Sequence, residues 1–178
     1  GQEQVGLGVC KICGMALEPI GVPTADAGPN PELVDFTRRF WIGAALTIPL
    51  VVIAMGGHLG LPVTDWLGAT GAQLLELALA TPVLLYCGWP FLERAVASVR
   101  NRAPNMWTLI GLGVVAAYAF SFVATIAPGL FPDAMRDHHG RVGLYYEAAA
   151  VIIVLVLLGQ ILELKARERT GDSIRALI

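Results

Sequence analysis

Three kinds of side chain in this sequence could hold a soft metal ion: paired thiols, a thioether, and carboxylates set inside apolar runs. Cys10 and Cys13 stand with two residues between them in "CKICGMALEP". Two thiolates at that spacing can chelate one ion, and Gly14 permits the turn. A closed zinc site needs four ligands, and no second pair follows. A soft ion held by two thiolates, with Met15 nearby, and a leftover half-knuckle are both open readings. Glu147 and Glu163 flank the run "LYYEAAAVIIVLVLLGQILELKARER". A carboxylate next to hydrocarbon costs several kcal/mol on most scales, roughly 3 on the lowest, and needs a partner or a task. They are 16 positions apart, about 24 Å along a helix and roughly 160° around it. They therefore serve opposite membrane faces and cannot share one site.

Met106 opens another apolar run at the face where Glu163 lies, because consecutive spans run antiparallel. Thioether sulfur favours Cu(I) over harder cations. A methionine at a helix start is also an ordinary packing residue, and Glu163 could simply pair with Lys165 or Arg167. Glu147, after Tyr145 and Tyr146, reads either as an anionic stop drawing a cation outward or as an acid in an aromatic interfacial belt. His58, Met55, His138, His139 and Met135 are candidate metal contacts on that outer side, most of them reading as ordinary loop residues. Cys87 reads as a small apolar filler.

The elements that must position these groups are membrane spans. The 178 residues are 56% hydrophobic and 15% charged, with the charge gathered in a few places. Four segments have about the 20 apolar residues needed to cross a bilayer: Phe40–Ile53 with its flanks, Leu67–Tyr86, Met106–Ala127 and Tyr145–Leu164. The first helix is expected to start near Pro31 and to stay apolar through Met55. An all-α membrane protein with four transmembrane helices follows. Of 12 lysines and arginines, only Arg136 and Arg141 fall on one side. That bias places both termini and the central loop in the cytoplasm. Residues 1–31 form a cytoplasmic lead-in, residues 32–164 the transmembrane region, and residues 165–178 a helical stalk.

The second span ends in "YCGWPFLERAVASVRNR", with Gly88 and Pro90 two positions apart. Glycine flexibility and the missing proline donor predict a kink near Gly88. Beyond it, Phe91, Ala95 and Val99 recur at helical spacing, with Glu93, Arg94, Arg100 and Arg102 on other faces. This is either an amphipathic interfacial helix over 89–102 or a plain helix end with snorkelling arginines. Trp89 suits both.

The stretches "GWPFLERAVASV", "NMWTLIGLGVVAAYAFS", "YYEAAAVIIVLVLLGQILELKARERTGDSIRAL" and "CKICGMALEP" resemble the N-terminal membrane region of the copper-type heavy-metal P-type ATPases. The resemblance covers nearly the whole chain. It implies two class-specific helices followed by the first two helices of the P-type core. It implies that the stretch after Gly88 is a platform where a copper chaperone, or the pump's own metal-binding domain, delivers Cu(I). Gly88, Arg94, Arg100 and Arg102 would form that docking platform, Met106 and Glu163 the intake ligands, and Glu147 an exit acid. The stalk would lead into an actuator domain. ATP and Mg would serve the full-length protein, lipids and the remaining pump domains would be its neighbours, and no nucleic acid is implied. The location implied is a bacterial inner membrane.

Two departures stand out. The family commonly has adjacent glycines at the kink, where this chain has Cys87 and Gly88. It also lacks a TGE loop, a Cys-Pro-Cys helix and a DKTGT motif, so these residues alone are not expected to hydrolyse ATP and read as part of a longer pump. The competing readings are a stand-alone four-helix metal sensor or scaffold, and a zinc or cobalt pump of the same superfamily.

Overall fold

The computed structural model describes Cys10, residues 30–56, Gly60, residues 66–136 and residues 142–175. Among these residues the protein is helical, with one isolated bridge between Arg136 and Val142 and no strand. Helix α1 spans Pro31–Met55, α2 Ala69–Pro82, α3 Trp89–Arg100, α4 Met106–Ile126 and α5 Tyr146–Arg175. Helices α1, α4, α5 and the segment Thr70–Cys87 are each long and apolar enough to cross a membrane. The chain is a multi-pass membrane protein.

Local chemistry sets the helix starts. Asn30 accepts a hydrogen bond from the Glu32 N–H at 3.0 Å, and Pro31 fills the first helical position. Proline is at home there because that N–H lacks an intrahelical partner. Asn105 caps α4 by accepting from the Trp107 N–H at 3.0 Å, while Thr108 Oγ1 accepts from the Asn105 N–H at 3.1 Å. This reciprocal arrangement satisfies donors that the helix itself cannot.

Each span buries one narrow stripe. In α1 it is Phe36, Gly43, Thr47 and Leu50; in α5 it is Tyr146, Ala149, Ala150, Ile153, Leu157, Ile161 and Leu164. Helices α1 and α5 form the broadest pairing in the bundle. Lipid is as apolar as leucine, so close approach at small residues, rather than escape from water, holds such helices together. Gly43 provides one such approach. A Cβ there would stand 3.2 Å from Val154 Cγ2 and 3.4 Å from Cys87 Sγ. Cys87 is fully buried opposite it. The space that α1 leaves at Gly43 explains how a thiol fits at the kink.

The kink is a local widening of the helix. Over Val83–Cys87 the turn is π-type, and the Gly88 N–H donates to the Val83 carbonyl at 2.9 Å, five residues back. Pro90 has no N–H to offer the Tyr86 carbonyl four residues before it. Arg39 of α1 takes over: its Nη1 donates to that carbonyl, its guanidinium lies 4.7 Å from the Tyr86 ring centroid, and its Nε meets Asp35 at 2.6 Å. A Cβ on Gly88 would lie 2.7 Å from the Leu84 carbonyl oxygen and 3.1 Å from Ile153 Cδ1. The glycine is thus required by space.

Helix α3 departs from the sequence expectation in its buried face. Phe91, Arg94, Ala95 and Ser98 are buried, whereas Val96 and Val99 are exposed. The buried set follows the i, i+3, i+4, i+7 spacing of one helix face. It packs on α4 so closely that a Cβ on Gly111 would stand 2.5 Å from Ala95 Cβ. Ser98 Oγ and Thr108 Oγ1 meet at 2.6 Å across the same seam. Val99, expected beside Phe91 and Ala95, belongs to the outer surface.

Candidate metal-handling sites at the two ends of the bundle

At the end where α2 kinks, α4 begins and α5 leaves the span, two of the expected residues are accessible. Met106 is the first residue of α4 and is 53% exposed. Glu163 is exposed on α5 and accepts from Gln160 Nε2 at 3.0 Å and from Arg167 Nη2 at 2.8 Å. A thioether and a carboxylate are therefore available at one end, the second already held in an ion pair. That pair is solvent-facing and of a kind worth under about 1 kcal/mol, so a cation can displace the guanidinium at little cost.

The three arginines expected on the docking face do not share one environment. Arg100 and Arg102 are exposed. Arg102 adopts φ 53, a left-handed position where glycine usually ends a helix, and the Ala103 N–H closes the turn on the Ser98 carbonyl at 2.9 Å. Arg94 is different and corrects that expectation. It is 8% exposed, ion-paired with Glu32 of α1, and stacked 5.5 Å from the Phe36 ring and 5.0 Å from the Trp107 ring. The physical reason is the helix spacing above, which turns position 94 into the α1–α3–α4 seam. Gly88 keeps its expected place at the kink, as a spacer.

At the other end, Glu147 lies in the first turn of α5 and is half-buried. Its Oε2 is buried with no hydrogen-bond partner among the described residues. Several hydroxyl contacts join α2, α4 and the start of α5. Tyr146 OH and Thr125 Oγ1 meet at 3.1 Å, Tyr118 OH and Thr81 Oγ1 at 2.7 Å, and the Tyr145 N–H donates to Ser121 Oγ at 2.7 Å. The Tyr118 and Tyr146 rings pack edge to face at 5.5 Å.

A further acid belongs to this end. Glu76 of α2 is 7% exposed and within electrostatic reach of Tyr146. Sequence reasoning missed it, although it carries the same signal as Glu147: a carboxylate inside a long apolar run. Cys13, His58, His138 and His139 lie outside the described residues; Cys10 is half-buried. Met55 and Met135 are exposed. Among the described residues no three histidine, cysteine, aspartate or glutamate side chains converge. The Met106 thioether is a soft donor at the kinked end, and the carboxylates and hydroxyls described at the other end are oxygen donors.

No known protein-family model matches the chain. Individual proteins do. It is 60% identical over 171 residues, 96% of its length, to a copper-transporting P-type ATPase of Rhizobium leguminosarum bv. viciae. It is 50% identical over 97% of its length to a silver exporting P-type ATPase of Salmonella typhimurium. It is 51% identical over 99% of its length to a copper-exporting P-type ATPase of Legionella pneumophila. The chain spans about a fifth of the length of these curated relatives, 20%, 21% and 23% respectively.

Proposed function

We infer that this chain, homologous along almost its whole length to copper- and silver-exporting P-type ATPases, forms the intake platform and part of the ion path of a Cu(I)-exporting pump. The homology carries this reading, and the placement of a thioether and a carboxylate at one end of the bundle supports it. Copper(I) and silver(I) are both soft ions, which suits the Met106 sulfur.

In this reading the kinked end faces the cytoplasm of a bacterial cell with the inner membrane around it. A chaperone, or a metal-binding domain of the pump, docks on α3 against Arg100 and Arg102. Those two guanidiniums offer charge complementarity to an acidic carrier. Arg102 sits at a backbone position that costs a non-glycine residue about 1 kcal/mol or more, which fits an arginine kept for its charge. Copper passes from carrier thiolates to Met106 and Glu163 by ligand exchange. A bare cation would face a large desolvation cost in hydrocarbon. It then moves through helices beyond this chain and leaves past Glu147. The extension of α5 to Arg175 serves as a stalk toward an actuator domain. ATP and Mg act on the remaining domains, and Cys10 and Cys13 hold copper ahead of the platform.

The test is metal-stimulated ATP hydrolysis by the full-length protein. Stimulation by Cu(I) or Ag(I), and its loss in Met106→Leu with folding retained, are expected; the swap keeps volume and removes only sulfur. Stimulation by Zn(II) alone would sink the copper assignment.

A further inference from the structure

Arg94 is a cation next to the platform that cannot greet a partner. Its side chain is 9% exposed and its charge is matched by Glu32, whose side chain is 28% exposed. Three helices meet at this one side chain. Helix α1 brings Glu32 and Phe36, α3 brings Phe91 and Arg94, and α4 brings Trp107. Phe91 and Trp107 stack with ring centroids 5.3 Å apart and planes 5° apart, and Phe36 tilts against Phe91 at 5.9 Å. Trp107 is 2% exposed, and the residue before it is Met106.

Burying an ion pair in such a place gains little over apolar packing of the same shape, because desolvation offsets the attraction. What it does supply is direction. A planar guanidinium between two rings, tied to a carboxylate, allows one arrangement of the three helices where leucines would allow several. Met106 itself is 53% exposed. Its place in space is set by the backbone it shares with the Asn105 cap and the Trp107 ring.

We propose that Glu32 and Arg94 are positioning residues that lock the platform helix to α1 and, through Trp107, fix where the Met106 thioether stands to receive the ion. This rests on the copper reading above and adds a role to residues that touch no metal. It also separates Arg94 from Arg100 and Arg102, whose work would be docking.

The experiment uses the full-length pump in proteoliposomes, with Cu(I) supplied as its cysteine complex so that no carrier protein needs to dock. Glu32→Gln, Arg94→Gln, Arg94→Lys, the Glu32→Gln/Arg94→Gln double variant, Val96→Ala and Met106→Leu are compared. Glu32→Gln and Arg94→Gln should each raise the half-activating Cu(I) concentration roughly five- to tenfold, below the hundredfold that a full ångström of misplacement can cost. Turnover at saturating Cu(I) should stay within about twofold. The double variant should match the singles, because both break one device. Arg94→Lys should fall between wild type and Arg94→Gln, keeping charge and losing the stacked plane. If Arg94→Gln does not fold, Glu32→Gln and Arg94→Lys carry the same comparison. Val96→Ala, exposed on the same helix and outside the docking and ion-binding groups, should be silent.

Wild-type half-activation in Glu32→Gln overturns the proposal, as does a double variant whose loss is the product of the two single losses. Failure of the copper reading looks different. There, Cu(I) does not stimulate wild type, or Met106→Leu behaves as wild type, and the positioning role falls with it.

Discussion

The two ends of the bundle solve the problem of polar groups in a membrane in different ways. At the kinked end, charges are neutralised inside the chain by long side chains: Arg39 reaches across to the Tyr86 carbonyl while pairing with Asp35 of its own helix, and Arg94 reaches across to Glu32. At the other end, a short-range hydroxyl contact joins Thr125 and Tyr146, and one oxygen of Glu147 stays without a partner among the described residues. Long-reach ion pairs and tight glycine contacts define one geometry. Hydroxyls rotate, and can re-aim as a neighbouring charge comes and goes. In the proposed reading, the first end would be the rigid receiving platform and the second the adaptable release path. It makes the kinked end far more sensitive to substitution.

The most damaging change should be Gly88→Val. The added side chain meets the Leu84 carbonyl oxygen, which is backbone and cannot yield without moving the helix, and crowds the Ile153 side chain. A loss of about 3 kcal/mol is expected, at the upper end of overpacking costs. Gly113→Ala is the control, since nothing lies within 4 Å of an added Cβ there, and should be neutral or stabilising by up to about 1 kcal/mol. Thermal unfolding of the two purified variants checks both; equal midpoints would mean that the kinked end is not closely packed.

Arg39→Met should follow, at about 2 kcal/mol. It keeps much of the aliphatic stem and leaves the Tyr86 carbonyl, orphaned by Pro90, with no donor in place of Arg39. Adding Pro90→Ala restores an N–H four residues after Tyr86. The double variant should therefore recover part of the loss, and no recovery would mean that the arginine works through Asp35 rather than through the carbonyl.

These same residues show what the sequence could and could not say. The spans were legible because apolar runs of bilayer length have few other uses. Asn30–Pro31 marked the start of α1, and Gly88 with Pro90 marked the kink, since backbone donors and Cβ clashes are local. Arg94 was not legible. Its burial depends on which face of α3 meets α4, and the alternative stripe of Phe91, Ala95 and Val99 is as apolar on paper. A guanidinium inside a seam is visible only once Glu32, 62 positions earlier, arrives beside it. Glu76 failed for a simpler reason: a single acid in "GAQLLELALATP" is outweighed by its neighbours in any hydropathy reading. The pairing of Met106 with Glu163 needs only antiparallel helices to bring both to one end, which is why sequence could suggest it.

At the end away from the kink, Tyr146→Phe removes one hydroxyl from the Thr125 contact and keeps the ring that packs on Tyr118. The expected cost is about 1 kcal/mol, the worth of one hydrogen bond, and smaller than the Arg39 change because Thr125 keeps its bond to the Ser121 carbonyl at 2.8 Å. A larger loss, approaching that of Gly88→Val, would erase the contrast between the ends.

Glu147→Gln sharpens the comparison most, although its effect on stability should be the smallest, under about 0.5 kcal/mol. The side chain keeps its shape, and one carboxyl oxygen has no partner to lose among the described residues. If Glu147 served only to fold the outer end, the amide would melt at the wild-type temperature and the full-length pump would turn over normally. If it draws the ion outward, turnover falls while the midpoint of unfolding stays fixed, and the half-activating Cu(I) concentration stays fixed too, because loading happens at the opposite face. Met106→Leu should do the reverse, raising the Cu(I) requirement. The pair of variants thus assigns each face by which kinetic quantity moves. An unchanged turnover in Glu147→Gln would leave the outer carboxylate as part of the hydroxyl belt, and the release path would have to be sought at Glu76.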